Sequence, residues 1–147
     1  MALSRLYLID KSAWEQRRYD ARARERIAEL HEAGRLAICI ITLAEMLYSA
    51  RNVEEIEVDH ARLSELRFLA MTAAAEQQVI TSMRDLAETG RHRRPIPDLL
   101  IAAIGRAHNA VLLHYDHDFE LIAEVTGQPH EWIIPRGTGH TSGSGTR

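Results

Sequence analysis

Four short runs of consecutive apolar residues alternate with longer stretches in which apolar residues recur every three or four positions. The runs have the length and β-branched content of buried strands, and the longer stretches have the period of amphipathic helices. Strands are therefore predicted at 5–9, 36–41, 110–114 and 131–134, and helices at 15–33, 42–50, 59–70, 73–90, 97–109 and 118–127. Strands separated by helices predict a parallel sheet with right-handed crossovers, so we expect a three-layer α/β/α sandwich with a parallel central sheet.

The connecting segments have patterns of their own. Residues 51–59 (RNVEEIEVD) are mostly polar and predict a connector. Residues 90–97 (GRHRRPIP) predict a basic loop, after which Pro97 suits the first turn of the next helix. Residues 137–147 are rich in Gly, Ser and Thr, and we expect a disordered tail there after one folded domain at 1–136.

Composition and charge narrow the class of protein. The 147 residues are 46% hydrophobic and 27% charged, which fits one soluble domain with a single core. The net charge of -3 means that any nucleic-acid binding has to use a local basic surface. The only cysteine, Cys39, lies in an apolar run and predicts a buried thiol in a reducing compartment. We find no signal-peptide pattern and no apolar run long enough to span a bilayer, and therefore expect a cytoplasmic protein.

Four acidic residues lie where an apolar strand ends or a helix begins. They are Asp10, Glu45, Asp98 and Asp116. The carboxyl ends of parallel strands meet on one rim of the sheet, where ligands bind. Carboxylates gathered on that rim repel one another, and a hard divalent cation such as Mg²⁺ or Mn²⁺ relieves the repulsion. The sequence therefore predicts a metal site, and a bound Mg²⁺ or Mn²⁺ in turn indicates phosphate chemistry.

Each of these acids also has an ordinary structural explanation. Glu45 lies three residues after Thr42, and T-x-x-E is the capping-box pattern, in which the glutamate bonds back to the backbone. Asp10 could cap the turn after the first strand, Asp98 suits the positive end of the helix dipole in a first helical turn, and Asp116 or Asp118 could cap the helix that follows. Four independent caps have no reason to share one rim, whereas a metal site requires it, so co-location favours the metal site.

The neighbours of these acids leave further alternatives open. Asp118 is a second candidate, beside Asp116, for the last metal ligand, directly or through a water. Ser12 could orient the carboxylate that precedes it by two residues, or be an ordinary turn serine. His114 and His117 could favour Zn²⁺ or Mn²⁺ over Mg²⁺, although a histidine in a rim loop is more often a surface residue.

A basic loop precedes the helix that carries Asp98. Arg91, His92, Arg93 and Arg94 have no acid among them, so this loop predicts a surface for nucleic-acid phosphates. The arginines of the first predicted helix have acidic neighbours at helical spacing, which indicates a solvated face. Aromatic residues make up only 5% of the chain, so we do not expect base stacking to drive binding.

Three segments together resemble a known family. The stretches LYLIDKSAW, ITLAEMLYSAR and IPDLLIAAIGRAHNAVLLHYDHDFELIA resemble the PIN-domain nucleases, and especially the VapC-type toxins of bacterial toxin–antitoxin pairs. The resemblance runs from about residue 5 to residue 135, and the order and spacing of the motifs are more specific than any one of them. Asp10, Glu45, Asp98 and Asp116 match the acidic positions of the family, with Asp118 as the adjacent candidate.

This resemblance implies a metal-dependent endoribonuclease that uses Mg²⁺ or Mn²⁺. It also implies a cognate VapB-type antitoxin whose carboxyl-terminal segment crosses the acidic rim, and a homodimer. On this interpretation the acids are catalytic and hold the metal, and Arg91, Arg93 and Arg94 bind RNA. Two alternatives stay open: a PIN-fold module that binds RNA or protein without catalysis, and a nuclease acting on DNA. A phosphotransfer receiver domain is disfavoured because the sequence has no lysine after Lys11.

Overall fold

The computed structural model describes residues 4–140, which contain a five-stranded sheet. Its order is β3-β2-β1-β4-β5, and every pair of neighbouring strands is parallel. The strands are β1 (Tyr7–Ile9), β2 (Leu36–Ile38), β3 (Arg67–Phe68), β4 (Val111–His114) and β5 (His130–Trp132). A parallel sheet built from strands and intervening helices is the fold predicted from the hydrophobic pattern.

Seven helices connect these strands within the described residues. They are α1 (Lys11–Gln16), α2 (Ala21–Glu32), α3 (Ile40–Tyr48), α4 (Val53–Leu63), α5 (Ala73–Glu88), α6 (Ile96–Ala107) and α7 (His117–Thr126). In the part of the chain that is described, none of these helices combines the length and apolarity needed to cross a membrane.

Side chains of the central strands alternate between two hydrophobic layers. Leu8 and Leu112 belong to the cluster that packs α5, α6 and α7 against one face of the sheet. Ile9 and Leu113, one residue further along each strand, belong to the cluster that packs α1 and α2 against the other face. All four side chains are at most 1% exposed, and each such burial stabilises the fold by roughly 2 kcal/mol.

The sheet register brings the ends of β1 and β4 together. Ile9 is paired with Leu113, and the N–H of Asp10 donates to the Leu113 carbonyl at 2.9 Å. Residues that follow these two strands therefore lie on the same rim, as the rule for parallel sheets requires. This rim carries the candidate site.

The first predicted helix, 15–33, is wrong in its start and its continuity. Helix α1 begins at Lys11, directly after β1, and ends at Gln16, and a turn separates it from α2. The break coincides with Asp20, whose side chain accepts a hydrogen bond from the Arg22 N–H at 2.8 Å and caps α2. A local cap thus interrupts a stretch whose apolar spacing is helical throughout.

Three further predicted boundaries are wrong. The strand predicted at 36–41 ends at Ile38, because Cys39 is already the extended residue that starts α3. The predicted connector 51–59 is largely α4, whose start is capped by the Asn52 side chain. The predicted helix 59–70 ends as α4 at Leu63, and the two-residue strand β3 follows it.

The tail predicted at 137–147 falls partly within the described residues. Residues 137–140 follow β5 and return to α1, where the Gln16 side chain bonds to the backbone of His140. Residues 141–147 lie outside the described part of the chain, so the prediction of disorder for them stays a prediction.

Candidate metal centre

A cleft of about 730 Å³ opens on the rim where β1 and β4 end. All four acids singled out from the sequence line this cleft, although they come from four separate places in the chain. They are Asp10, Glu45, Asp98 and Asp116. The structure therefore meets the co-location condition that distinguishes a shared site from independent helix caps.

Two of the acids cap helices and line the cleft at the same time. The Ser12 N–H donates to Asp10 Oδ2 at 2.9 Å at the start of α1. The Asp118 N–H donates to Asp116 Oδ1 at 2.9 Å at the start of α7. A carboxylate has two oxygens with about four lone-pair sites, so a cap leaves capacity for a metal. Capping and metal binding, which the sequence presented as alternatives, are compatible at these two positions.

Ser12 links the two strand ends that carry these acids. The Tyr115 N–H donates to Ser12 Oγ at 2.9 Å, and the Ser12 N–H donates to Asp10 Oδ2 at 2.9 Å. Ser12 thus ties the residue after β4 to the residue after β1. Of the two interpretations of Ser12, the geometry favours the residue that orients the Asp10 carboxylate.

Glu45 does not form the capping box that its spacing from Thr42 suggested. Helix α3 starts after Cys39, so Thr42 is a residue of the helix and not its cap. Glu45 Oε1 is buried and has no hydrogen-bond partner among the described residues. A buried carboxylate oxygen without a partner is costly, and a cation in the cleft would supply the missing partner.

Asp98 lies in the first turn of α6, where the cap residue is Pro95 and makes no side-chain hydrogen bond. Oxygens of Asp98, Asp116 and Asp118 all lie within 4.8 Å of one another, which is close enough for a single ion to contact them. Asp98 therefore lines the cleft and also lies close to the start of α7.

The pKa values of all four cleft acids are raised when no cation balances their charge. Burial, reinforced by the surrounding carboxylates, raises the pKa of Asp98 to about 8. Burial also raises the pKa of Asp10, Glu45 and Asp116, and a neighbouring acid adds to the effect in each case. Acids in a cleft whose pKa values are shifted by burial and by neighbouring charges are candidates for a functional site.

Asp118, the alternative to Asp116, faces a different partner. The Arg94 guanidinium donates to Asp118 Oδ1 at 2.9 Å, and both side chains are 27% exposed. Asp118 is absent from the residues that line the cleft, whereas Asp116 is among them. The geometry favours Asp116 as the acid that faces the cleft, while Asp118, which is paired with Arg94, stays within reach of an ion that contacts Asp98 and Asp116.

The histidines beside Asp116 do not join the carboxylates. His114 is fully buried, and its Nε2 lies 2.9 Å from His130 Nδ1. Burial lowers the pKa of His114 to about 3, so this ring is neutral. His117 lies 3.9 Å from Glu120 on the first turn of α7. The clustered acids therefore offer oxygen donors without either of these histidines, which suits Mg²⁺ or Mn²⁺ better than Zn²⁺.

The basic loop has acidic partners that the sequence did not reveal. Arg91 lies 3.6 Å from Glu124, and Arg94 is held by Asp118. Arg93 is exposed and makes no ion pair within the described residues. The three arginines proposed for phosphate contact thus differ in how free they are to bind one.

Sequence reasoning missed several residues that line the cleft. They are Lys11, Glu15, Gln16, Tyr19, Ser49 and His140. Lys11 follows Asp10 directly and is the only lysine of the chain, which was a usable signal. His140 reaches the cleft from the far end of the chain, and no local pattern marks such a contact.

The chain is similar to proteins and structures of known type. The family model described as PIN domain matches residues 7–125. Ribonuclease VapC51 of Mycobacterium tuberculosis is 44% identical over 132 residues, which cover 90% of this chain and 96% of that protein. Ribonuclease VapC21 of the same organism is 39% identical over 138 residues, with 90% and 96% covered. The solved structure of VapBC-1 from nontypeable Haemophilus influenzae has a TM-score of 0.72 at 20% identity and covers 87% of this chain and 98% of that one, which confirms the predicted fold.

Proposed function

This chain belongs to the PIN domain family, and from that premise we propose that it is a metal-dependent endoribonuclease, the toxin of a VapBC-type toxin–antitoxin pair. The observation that carries the proposal is the convergence of four carboxylates in one cleft, with their pKa values raised and one buried oxygen unpartnered. Relatives that cover 90% of the chain are named ribonucleases, which supports RNA as the substrate. The same four acids argue against the non-catalytic binding module.

Asp10, Asp98 and Asp116 would hold the cation, and Glu45 would complete its ligands or orient a water. A bound Mg²⁺ or Mn²⁺ supplies an activated water and stabilises negative charge that builds on the phosphate. The chain itself fixes Asp10 and Asp116 through their helix caps, and Ser12 holds the two strand ends in register. Rigid positioning of this kind is what a metal site requires of the residues around it.

The direct test of this proposal is cleavage of single-stranded RNA by the purified chain. We expect cleavage with Mg²⁺ or Mn²⁺ and none with EDTA. A DNA strand of the same sequence, tested in parallel, checks the alternative substrate. The comparison is needed because a metal that contacts only the phosphate does not distinguish RNA, which has a 2′-hydroxyl, from DNA. RNA that is bound but left intact in every metal condition would favour the binding module instead.

Glu45→Gln separates a catalytic from a structural role at this position. We expect cleavage to fall by at least about tenfold, because the neutral amide loses its charge toward the cation. We expect no loss of thermal stability, because the side chain caps nothing and burial already disfavours its charged form. Initial rates and melting temperatures are measured beside Glu54→Gln, an exposed acid of α4. Full activity in Glu45→Gln would remove this residue from the proposed site.

Arg93→Gln tests the phosphate-binding loop. The variant is expected to bind RNA more weakly and to reduce the slope of log affinity against log salt by about one, the signature of one lost phosphate contact. Arg94→Gln should change the slope less, because Asp118 already neutralises that guanidinium. Arg67→Gln, on the edge strand β3, is the matched control. An unchanged slope in Arg93→Gln would contradict the assignment.

We also propose a VapB-type antitoxin as partner and a homodimer as the assembled state. The solved VapBC-1 structure, whose toxin-like fold this chain shares, supports the first point. A guanidinium from such a partner would balance the negative charge of the cleft in place of a metal ion. Both points are tested by measuring the sedimentation mass of the chain with and without a co-expressed antitoxin. A chain that sediments as a monomer and does not bind the antitoxin would contradict them.

A further inference from the structure

Two aromatic rings stack at the wall of the acidic cleft. Tyr19 lies in the turn between α1 and α2, and His140 lies beyond β5. Their ring centroids are 3.7 Å apart and their planes differ by 21°. Both residues line the cleft that holds the four acids. The pair therefore brings together two flat surfaces, from opposite ends of the chain, beside the candidate metal centre.

Buried polar side chains fix the position of His140. Gln16, which is 5% exposed, accepts from the His140 N–H at 2.9 Å and donates to the His140 carbonyl at 2.7 Å. The preceding Gly139 N–H donates to the Tyr115 hydroxyl at 2.6 Å. A Cβ on Gly139 would lie 2.7 Å from both Gln16 Oε1 and Tyr115 Cζ, so glycine alone fits there without displacement. The Gln16 amide thus hydrogen-bonds to both the N–H and the carbonyl of His140 and holds this residue in place.

The rings are anchored but not covered. Tyr19 is 55% exposed and His140 is also exposed. A stacked pair that served only to fasten the end of the chain would gain more from being buried, since apolar ring surface stabilises when it leaves water. Arg18, which lies 3.6 Å from Glu15, lines the same cleft. An exposed aromatic surface in a cleft that also holds a guanidinium matches a nucleotide, whose base stacks and whose phosphate is anionic.

We propose that Tyr19 and His140 form a stacking platform for one base of the RNA strand, next to the phosphodiester bond that is cleaved. The inference rests on the proposed nuclease function and adds a substrate-binding element to the same cleft. Stacking on aromatic side chains tolerates all four bases, so the platform positions the strand and does not select its sequence. The low aromatic content of the chain argues against an extended stacking surface, but a single pair placed at the cleft needs no more than two rings.

The test replaces the rings and follows both binding and cleavage. Tyr19→Ala and His140→Ala are compared with wild type on single-stranded oligoribonucleotides that carry 2-aminopurine at successive positions, with Mn²⁺ present. In wild type, stacking quenches the fluorescence of the probe at one position, and Tyr19→Ala abolishes that quenching. For cleavage, KM for RNA is expected to rise by about 5- to 100-fold in Tyr19→Ala while kcat changes little. Tyr19→Trp, which keeps an aromatic face, should restore both signals.

Controls separate stacking from a general loss of structure. Phe68→Ala removes a ring of nearly equal exposure, 54%, from the edge strand β3, and should behave as wild type. An RNA with an abasic site at the quenched position should bind wild type and Tyr19→Ala equally, because the base that stacks is missing. The proposal is overturned if the probe is quenched and RNA is bound by Tyr19→Ala as by wild type. It is also overturned if Tyr19→Ala binds the abasic RNA more weakly than wild type does. If wild type quenches the probe but does not cleave the RNA, the nuclease function is overturned and the stacking platform is still supported.

Discussion

Asp98→Asn is expected to abolish metal-dependent RNA cleavage while leaving the protein at least as stable as wild type. The asparagine keeps the shape of the side chain but removes its charge toward the cation, so we expect the rate to fall by more than about 100-fold. Without a cation, burial and four neighbouring acids already raise the pKa of Asp98 to about 8. Replacing it by a neutral group therefore relieves a cost and does not break a stabilising contact.

This combination of effects distinguishes a functional acid from a structural one. Cleavage rates with Mn²⁺ and unfolding temperatures in EDTA are measured on the same preparations. Asp85→Asn is the matched control, because Asp85 pairs with Arg106 outside the cleft at 3.3 Å, and its loss should cost at most about 1 kcal/mol of stability and no activity. A drop in the unfolding temperature of Asp98→Asn would identify Asp98 as a structural residue, and retained cleavage would remove it from the metal centre.

The second large effect is a pH dependence of stability that a divalent cation reverses. The pKa of Asp98 is about 8 in the folded, metal-free protein and near 3.8 when the chain is unfolded. Between these values Asp98 binds more protons in the folded state than in the unfolded state, so its contribution to stability in EDTA falls as pH rises from about 4 to 8. The lowered pKa of His114 has the opposite effect below its unfolded value of 6.5, so the fall due to Asp98 shows mainly above that pH. A cation displaces those protons, and its affinity should rise by about tenfold per pH unit for each proton released.

Thermal unfolding at pH 6 and pH 8, in EDTA and in Mn²⁺, measures this effect. We expect a lower unfolding temperature at pH 8 than at pH 6 in EDTA, and a larger stabilisation by Mn²⁺ at pH 8. Asp98→Asn should flatten the dependence in EDTA, since it removes the group with the pKa of about 8. If stability in EDTA rises over this interval, or if Mn²⁺ stabilises equally at both pH values, the acids do not share a cation.

The parallel fold could be predicted because its signal is local and repeated. Each buried strand has a short apolar run, and each long helix repeats its apolar residues at helical spacing. The errors arose where one side chain decides a boundary: Asp20 caps α2 inside a continuous helical pattern, and Asn52 caps α4 inside a polar stretch. The strand β3 has two residues, both exposed, and is formed by pairing with β2, which no pattern within two residues can predict.

The candidate site could be predicted in part, because some of its residues are placed by local patterns and others by long-range contacts. Asp10 and Asp116 follow strands, so the topology of a parallel sheet places them on one rim. The different surroundings of Asp116 and Asp118 depend on Arg94, which bonds to Asp118 although it precedes it by 24 residues. The approach of His140 to Gln16 spans 124 residues and depends on the path of the chain after β5. Contacts of this range come from the packed structure and have no local signature.

Crystals grown with Mn²⁺ and examined by anomalous diffraction test the central claim most directly, because they show whether the acids share an ion and which of them touch it. We predict at least one Mn²⁺ in the cleft, with oxygens of Asp10, Asp98 and Asp116 within about 2.0–2.4 Å of an ion directly or through one water. The claim is contradicted if the cleft holds no ion at millimolar Mn²⁺ while its carboxylates bond to neighbouring amides.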